Sequence, residues 1–182
     1  MDSTRAIAGK GLFYVFVGQI VSLFTFIPFL GGFVGLAALI ISIYGFYTMS
    51  KADNDYNTAF ILTIVNLVIT LIHMFAFKSG LMNLVVTVAN TALSFLVVYY
   101  VCTASAALLQ GVDDGLVNRA GLIWKMYLVC TVILIVCQIL SYIPIINILA
   151  AIAAFLTAIV QLVASILYLI FLWSSQKTLQ GK

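Results

Sequence analysis

The sequence predicts an all-α integral membrane protein: six transmembrane helices arranged as three helical hairpins, with both termini cytoplasmic. Three observations carry this expectation. The 182-residue chain is 65% hydrophobic and 7% charged, with a mean hydropathy of +1.25, whereas soluble domains carry about 25% charged residues. Its apolar runs are each too long for one bilayer crossing. Its basic residues fall almost entirely on one side of the arrangement those runs imply.

The first run, residues 11 to 50, is uncharged. A hydrocarbon core about 30 Å thick needs about 20 helical residues, so this run crosses twice and must reverse near its middle. The stretch IPFLGG at 27–32 supplies the turn. Pro28 lacks an amide hydrogen and disfavours helix in the residue before it, and glycine tolerates the conformations a turn needs. This gives spans at roughly 11–28 and 32–49.

The middle segment follows the same plan. AFILTIVNLVITLIHMFAF makes a span at 59–77, KSGLMN turns, and residues 84–108 return. A second long uncharged run, 126 to 176, contains IPIIN at 143–147. Pro144 turns it, giving spans at 122–143 and 147–174. The chain is then one polytopic domain, 1–182, with hairpins over roughly 11–49, 59–108 and 122–174.

Charge placement is an independent check. Six crossings put Arg5, Lys10, Lys51, Arg119, Lys125, Lys177 and Lys182 on one side, seven of the eight basic residues, and only Lys78 on the other. The positive-inside rule makes the richer side cytoplasmic. Trp124, Trp173, Tyr14, Tyr47, Tyr56, Tyr99 and Tyr100 fall near the same helix ends, as an interfacial belt requires. Small size and bare loops suggest a bacterial cytoplasmic membrane.

A weak parallel repeat relates the outer hairpins. GLFY (11–14) and GLIW (121–124) open them, Gln19 and Gln138 precede Pro28 and Pro144, and TMSK and SSQK close them.

Without water, helices associate through close packing and interhelical hydrogen bonds. The second span offers Gly31, Gly35, Ala38, Ser42 and Gly45 near one face, and the sixth offers Ala150, Ala154 and Ala158. On the fourth, Thr87, Thr91 and Ser94 make a hydroxyl stripe.

Candidate chemistry is sparse. All five acidic residues lie outside the predicted spans, which argues against ion-coupled pumps, proton relays and intramembrane metallo- or aspartyl proteases. The basic residues form no cluster able to track a phosphate backbone, which argues against nucleic acid. Cys102, Cys130 and Cys137 lie in apolar stretches and are expected as small buried hydrophobes. No metal-ligand spacing is present, no cofactor is implied, and no catalytic residue is assigned. DND (53–55) and DDG (113–115) are expected to serve as loop and helix-cap residues.

What remains is a set of uncharged polar residues at membrane depth: Gln19, Asn66, Asn90, Gln138 and Gln161, joined by the single histidine, His73. Facing lipid they would be costly, so they should converge inward, as a network that fixes the bundle or as a pocket. Two functional expectations follow. One is a non-enzymatic membrane module that acts as a subunit of a membrane assembly, with a membrane-protein partner or a second copy. The other is a transporter or substrate-binding component for a small neutral or amphipathic solute. In either case the lipid bilayer is the principal surrounding.

Overall fold

A computed structural model describes residues 2–26, 31–76, 80–143 and 146–181, and these are helical apart from short connections. Six α-helices follow in order: α1 Asp2–Ser22, extended by a 3₁₀ turn at Leu23–Phe26, α2 Gly31–Ser50, α3 Asn54–Ala76, α4 Gly80–Leu109, α5 Asp114–Leu140 and α6 Asn147–Leu179. Five of them, α2 to α6, are long and apolar enough to cross a membrane. This is a helical, multi-pass membrane protein. Helix α1 differs because Asp2, Arg5 and Lys10 occupy its first half. The turn prolines Pro28 and Pro144, and Lys78, lie outside the described residues.

Several helices overrun the limits that hydropathy set. Helix α3 begins at Asn54 rather than 59, α5 at Asp114 rather than 122, and α6 continues to Leu179 rather than 174. Hydropathy marks only the greasy part of a helix, whereas its end is set by capping of unpaired backbone groups. Asp53 Oδ1 accepts the Asp55 amide at 2.8 Å and Asp113 Oδ1 accepts the Leu116 amide at 3.0 Å. Between α4 and α5, Gly111 takes φ +72°, the left-handed conformation that ends helices cheaply only at glycine. The connections at this end of the molecule, 51–53 and 110–113, are therefore tight.

Neighbouring helices run antiparallel. Gly11 lies against Gly45 and Met49, and Gly18 against Ala38 and Ser42, so numbers fall along α2 as they rise along α1. The same reversal relates Tyr56–Ser105 to Asn66–Ser94 across α3 and α4. It also relates Tyr99–Trp124 to Thr91–Gln138 across α4 and α5. Each helix packs on the next, and α6 returns to α1 through Phe16 and Trp173, whose rings lie 5.1 Å apart. The six helices thus form a closed ring, with little contact across it beyond that of α4 with α6.

The core sits at one end of this ring. Leu12, Met49, Tyr56, Val101, Cys102, Leu109 and Leu172 are fully buried, and all belong to the helix halves nearest the 51–53 and 110–113 connections. This end is called the loop pole below. At the far pole, large apolar side chains face outward instead: Phe33 is 76% and Ile148 75% exposed. In lipid such exposure is the normal state of a helix surface rather than a defect.

Of the small residues expected as packing faces, some lie at helix contacts and others do not. Helix α2 meets α1 through Ala38, Ser42 and Gly45, while Gly35 lines the interior described below and Gly31 opens the helix. On α6, Ala150 is buried, Ala154 half-buried and Ala158 exposed. The packed face of α6 instead follows Ala150, Thr157, Ala164 and Phe171. A step of four residues advances about 40° past a full turn, so two steps carry Ala158 out of contact, whereas a step of seven falls only about 20° short.

The α1–α2 contact is backbone on backbone. A methyl group on Gly45 would stand 2.8 Å from the Val15 amide nitrogen and 2.9 Å from the Gly11 carbonyl oxygen. Gly45→Ala should therefore force the helices apart and cost about 1–3 kcal/mol of stability in detergent. Gly121→Ala on α5, where the added methyl meets nothing within 4 Å, should be neutral or stabilising. Thermal unfolding of the two variants checks this, and equal melting temperatures would contradict the contact.

Candidate functional site: a polar cavity inside the helical ring

A cavity of about 640 Å³ occupies the middle of the ring, and every helix contributes to its wall. Helix α1 supplies Gly18, Gln19 and Ser22. Helix α2 supplies Gly35, Ala38, Ser42 and Phe46, and α3 supplies Thr63 and Asn66. Helix α4 adds Thr91, Ser94 and Phe95, α5 adds Tyr127 and Thr131, and α6 adds Gln161 and Tyr168. None of the lining residues, all among the described ones, is charged. The volume lies within the range of small-molecule pockets, about 300–1,000 Å³.

The local reason for this lining is the absence of water in the surroundings. An amide or hydroxyl turned toward hydrocarbon has no partner, so these groups turn toward one another. Asn66 Nδ2 donates to Ser94 Oγ at 3.1 Å, and Gln138 Nε2 donates to Thr91 Oγ1 at 3.2 Å. Asn90 Nδ2 reaches Thr70 Oγ1 at 3.3 Å. The α4 hydroxyls thus serve as acceptors for amides on both neighbouring helices, while Thr87 bonds back to its own helix through the Asn83 carbonyl.

The sequence-derived residues divide into two ranks. Gln19, Asn66 and Gln161 line the cavity directly. Asn90 and Gln138 stand behind the wall and brace α3, α4 and α5. The amide oxygens of Gln161, Gln138 and Asn90 are buried acceptors with no hydrogen-bond partner among the described residues. His73 is apart from this group. It does not line the cavity, it lies in the last turn of α3, and its Nε2 is likewise buried without a partner.

Sequence reasoning missed part of the wall: Ser22, Thr63, Thr131, Tyr127 and Tyr168. Helical spacing was the signal available. Thr63 lies three residues before Asn66, Thr131 seven before Gln138, and Tyr168 seven after Gln161, each close to the face of its amide.

Aromatic groups close the cavity toward the loop pole. Phe46 is buried there, and Tyr127 packs edge-on to Tyr168 with centroids 6.1 Å apart. The Tyr127 hydroxyl pairs with Ser165 Oγ at 2.9 Å. Nearer the pole, the Tyr56 hydroxyl pairs with Ser105 Oγ at 2.8 Å, and both residues are fully buried. Tyr56 is therefore not part of an interfacial belt, because its hydroxyl finds a partner inside the bundle instead of at the water boundary.

Three lysine–aromatic pairs lie toward the same pole. Lys51 lies over the Tyr47 ring at 4.2 Å, Lys177 over Trp173 at 4.6 Å and Lys125 over Trp124 at 5.7 Å. The rings lie in the loop-pole halves of α2, α5 and α6, and Lys51 lies in the adjoining 51–53 connection.

No protein-family model, curated protein or solved structure matches this chain. The chemistry must be read from the cavity itself. Among the described residues no three His, Cys, Asp or Glu side chains gather as metal ligands, and the three cysteines are free and buried. What the wall offers is hydrogen-bond donors and acceptors without charge, over an aromatic floor.

Interhelical bonds of this kind are modest, averaging about 0.6 kcal/mol and reaching about 1.7 in membrane proteins. A double-mutant cycle of Asn66→Ala and Ser94→Ala, read by unfolding in detergent, should give a coupling in that range. A coupling indistinguishable from zero would remove the Asn66–Ser94 bond from the wall.

Proposed function

We propose that this chain crosses the membrane six times, as three hairpins with both termini in the cytoplasm. We further propose that it binds a small neutral or amphipathic solute in its central cavity, as a transporter or substrate-binding component without enzymatic activity. One observation carries the reading: the cavity of about 640 Å³ to which all six helices contribute amides and hydroxyls but no charge. A bundle that needed polar groups only for cohesion would satisfy them and fill the space between them. Here Gln161 lines the volume, and its amide oxygen is buried with no hydrogen-bond partner among the described residues.

The six-crossing arrangement is supported by α1. This helix lies antiparallel along α2 from Gly11 to Gly18, so it reaches the same depth despite its charged start. The orientation is supported by the three lysine–aromatic pairs near the loop pole, because aromatic rings favour a membrane boundary on either side and an excess of lysines favours the cytoplasmic one.

The assembly reading keeps one observation in its favour. The N-terminal half of α6 is exposed on most of its circumference, with Leu149 and Phe155 each 68% exposed. A partner helix would cover that surface, as would lipid.

Ligand binding stabilises a protein by RT ln(1 + [L]/Kd), so the purified chain in nanodiscs can be screened by melting temperature against uncharged polyols, amides and nucleosides. At least one class should raise the melting temperature. Gln161→Ala should weaken that ligand about tenfold, the loss of one hydrogen bond to a buried group. No shift with any uncharged compound, together with a membrane protein that co-purifies stoichiometrically, would favour the assembly reading instead. The crossings are checked separately in a variant with Cys102, Cys130 and Cys137 replaced. Gly32→Cys and Asn147→Cys should react with an impermeant maleimide added outside intact cells, and Asn54→Cys only after permeabilisation. The reverse pattern would invert the orientation.

A further inference from the structure

Among the described residues three tyrosines are buried, and they differ in what their hydroxyls meet. The Tyr56 hydroxyl pairs with Ser105 and the Tyr127 hydroxyl with Ser165. Tyr168 is only 6% exposed and lines the central cavity, yet its hydroxyl has no hydrogen-bond partner among the described residues. Thr131 is a second exception. Thr63, Thr91 and Thr157 each bond to the carbonyl four residues earlier on their own helix. The Thr131 hydroxyl, also on a residue 6% exposed that lines the cavity, makes no such bond. Buried polar groups are ordinarily hydrogen-bonded, so each exception calls for a partner from elsewhere. Neither of these two oxygens is enclosed by protein, and the space both residues line is the cavity.

The two hydroxyls share one side of the ring. The Tyr127–Ser165 bond sets α5 against α6. Four residues from each, away from the loop pole, come Thr131 and Gln161, which therefore lie within about one helical turn of each other in depth. Tyr168 follows Gln161 by seven residues, close to the same face. A helical side chain leans toward its helix N-terminus, which on α6 means toward the far pole and Gln161. The other side of the cavity differs. There Thr63 Oγ1 and Asn66 Nδ2 already donate within the protein, and Leu39, Phe46 and Phe95 present apolar surface.

Four aromatic rings, those of Phe46, Phe95, Tyr127 and Tyr168, line the space, and such rings gain from offset or edge-on contact with another ring. A polyol would lay hydroxyls against Phe46 and Phe95 with nothing to bond. A wholly apolar ring would leave the α5–α6 hydroxyls unpaired. A ring with one polar edge satisfies both walls.

We propose that Tyr168 and Thr131 select the solute, and that it is an uncharged ring compound bearing a hydroxyl or carboxamide on one edge. The polar edge bonds to the α5–α6 wall while the ring lies against Phe46 and Phe95. This rests on the solute-binding reading and adds to it the class and orientation of the solute.

The test uses the full chain in nanodiscs, with benzamide, toluene and glycerol as probes and an apparent Kd read from melting temperature at rising concentration. Benzamide carries ring and amide, toluene the ring alone and glycerol the hydroxyls alone. Benzamide should bind at least about tenfold more tightly than either, the worth of one hydrogen bond to a buried group. Tyr168→Phe should weaken benzamide about tenfold and leave the melting temperature of the unliganded protein unchanged. Tyr56→Phe, which removes a bonded hydroxyl, should lower that temperature instead. Should Tyr168→Phe fail to fold, Thr131→Val carries the same test from α5. Benzamide bound no better than toluene would overturn the proposal, as would benzamide affinity undiminished in Tyr168→Phe. A melting temperature lowered as far in Tyr168→Phe as in Tyr56→Phe would make the hydroxyl structural and likewise overturn it. Glycerol bound in preference to benzamide, and weakened by Gln161→Ala but not by Tyr168→Phe, would defeat this inference and leave the solute-binding reading standing. No shift with any uncharged compound would remove both.

Discussion

A side-chain amide surrounded by hydrocarbon has no water to bond with, and five of the six helices here carry one. That constraint organises the molecule. Each amide must find a partner on another helix or an interior shared with others, and a ring of six helices provides both. Asn66 and Gln138 reach α4 from opposite sides, through Ser94 and Thr91, which makes α4 the common acceptor. Gln19 and Gln161 turn into the central space. The polar residues therefore determine which face of each helix looks inward, a choice the uniformly greasy surfaces could not make alone.

Close packing does the complementary work, unevenly along the bundle axis. At the loop pole, glycine contacts between α1 and α2, the buried Tyr56–Ser105 pair and the α6 side chains from Phe171 to Leu179 fill the interior. Toward the far pole the helices share fewer buried side chains. Dispersion energy depends on contact at near-optimal distance, so the loop pole should be the rigid base and the far pole the compliant rim.

The sequence carried the helical class because hydrocarbon thickness fixes span length; of the polar residues expected to converge, Gln19, Asn66 and Gln161 line the cavity, whereas Asn90, Gln138 and His73 do not. Hydropathy placed the helix limits too far inward, although the Asp53 and Asp113 stretches expected as loop and cap residues do cap α3 and α5 outside the hydrophobic runs. The sequence misjudged α6 because a stripe of alanines every fourth residue looks like a face, yet the helix packs along Ala150, Thr157 and Ala164. Tyr56 read as interfacial because position near a helix end is visible in a sequence, whereas the burial of Ser105 opposite it is not. The cavity itself was only an expectation of convergence. Whether convergent amides close on one another or leave room between them depends on the bulk of Phe46, Tyr127 and Tyr168 beneath them, and three-dimensional packing alone decides that.

On the solute-binding reading, this gradient in packing also gives the site a direction. Opening the cavity toward the loop pole would mean separating Tyr127 from Ser165 and Tyr56 from Ser105. Separation would leave the Tyr127, Tyr56 and Ser105 hydroxyls unpaired, at about 1–3 kcal/mol apiece, while Ser165 keeps its bond to the Gln161 carbonyl, and the packing around Phe171 and Leu172 would be lost as well. Opening toward the far pole would part the Asn90–Thr70, Gln138–Thr91 and Tyr142–Gly80 bonds, and among the described residues none of these is as buried as Tyr56–Ser105. A solute would thus enter past the compliant rim and come to rest on the aromatic floor. Passage onward would require the tyrosine–serine layers to part, which makes them the barrier that separates a binding protein from a transporter.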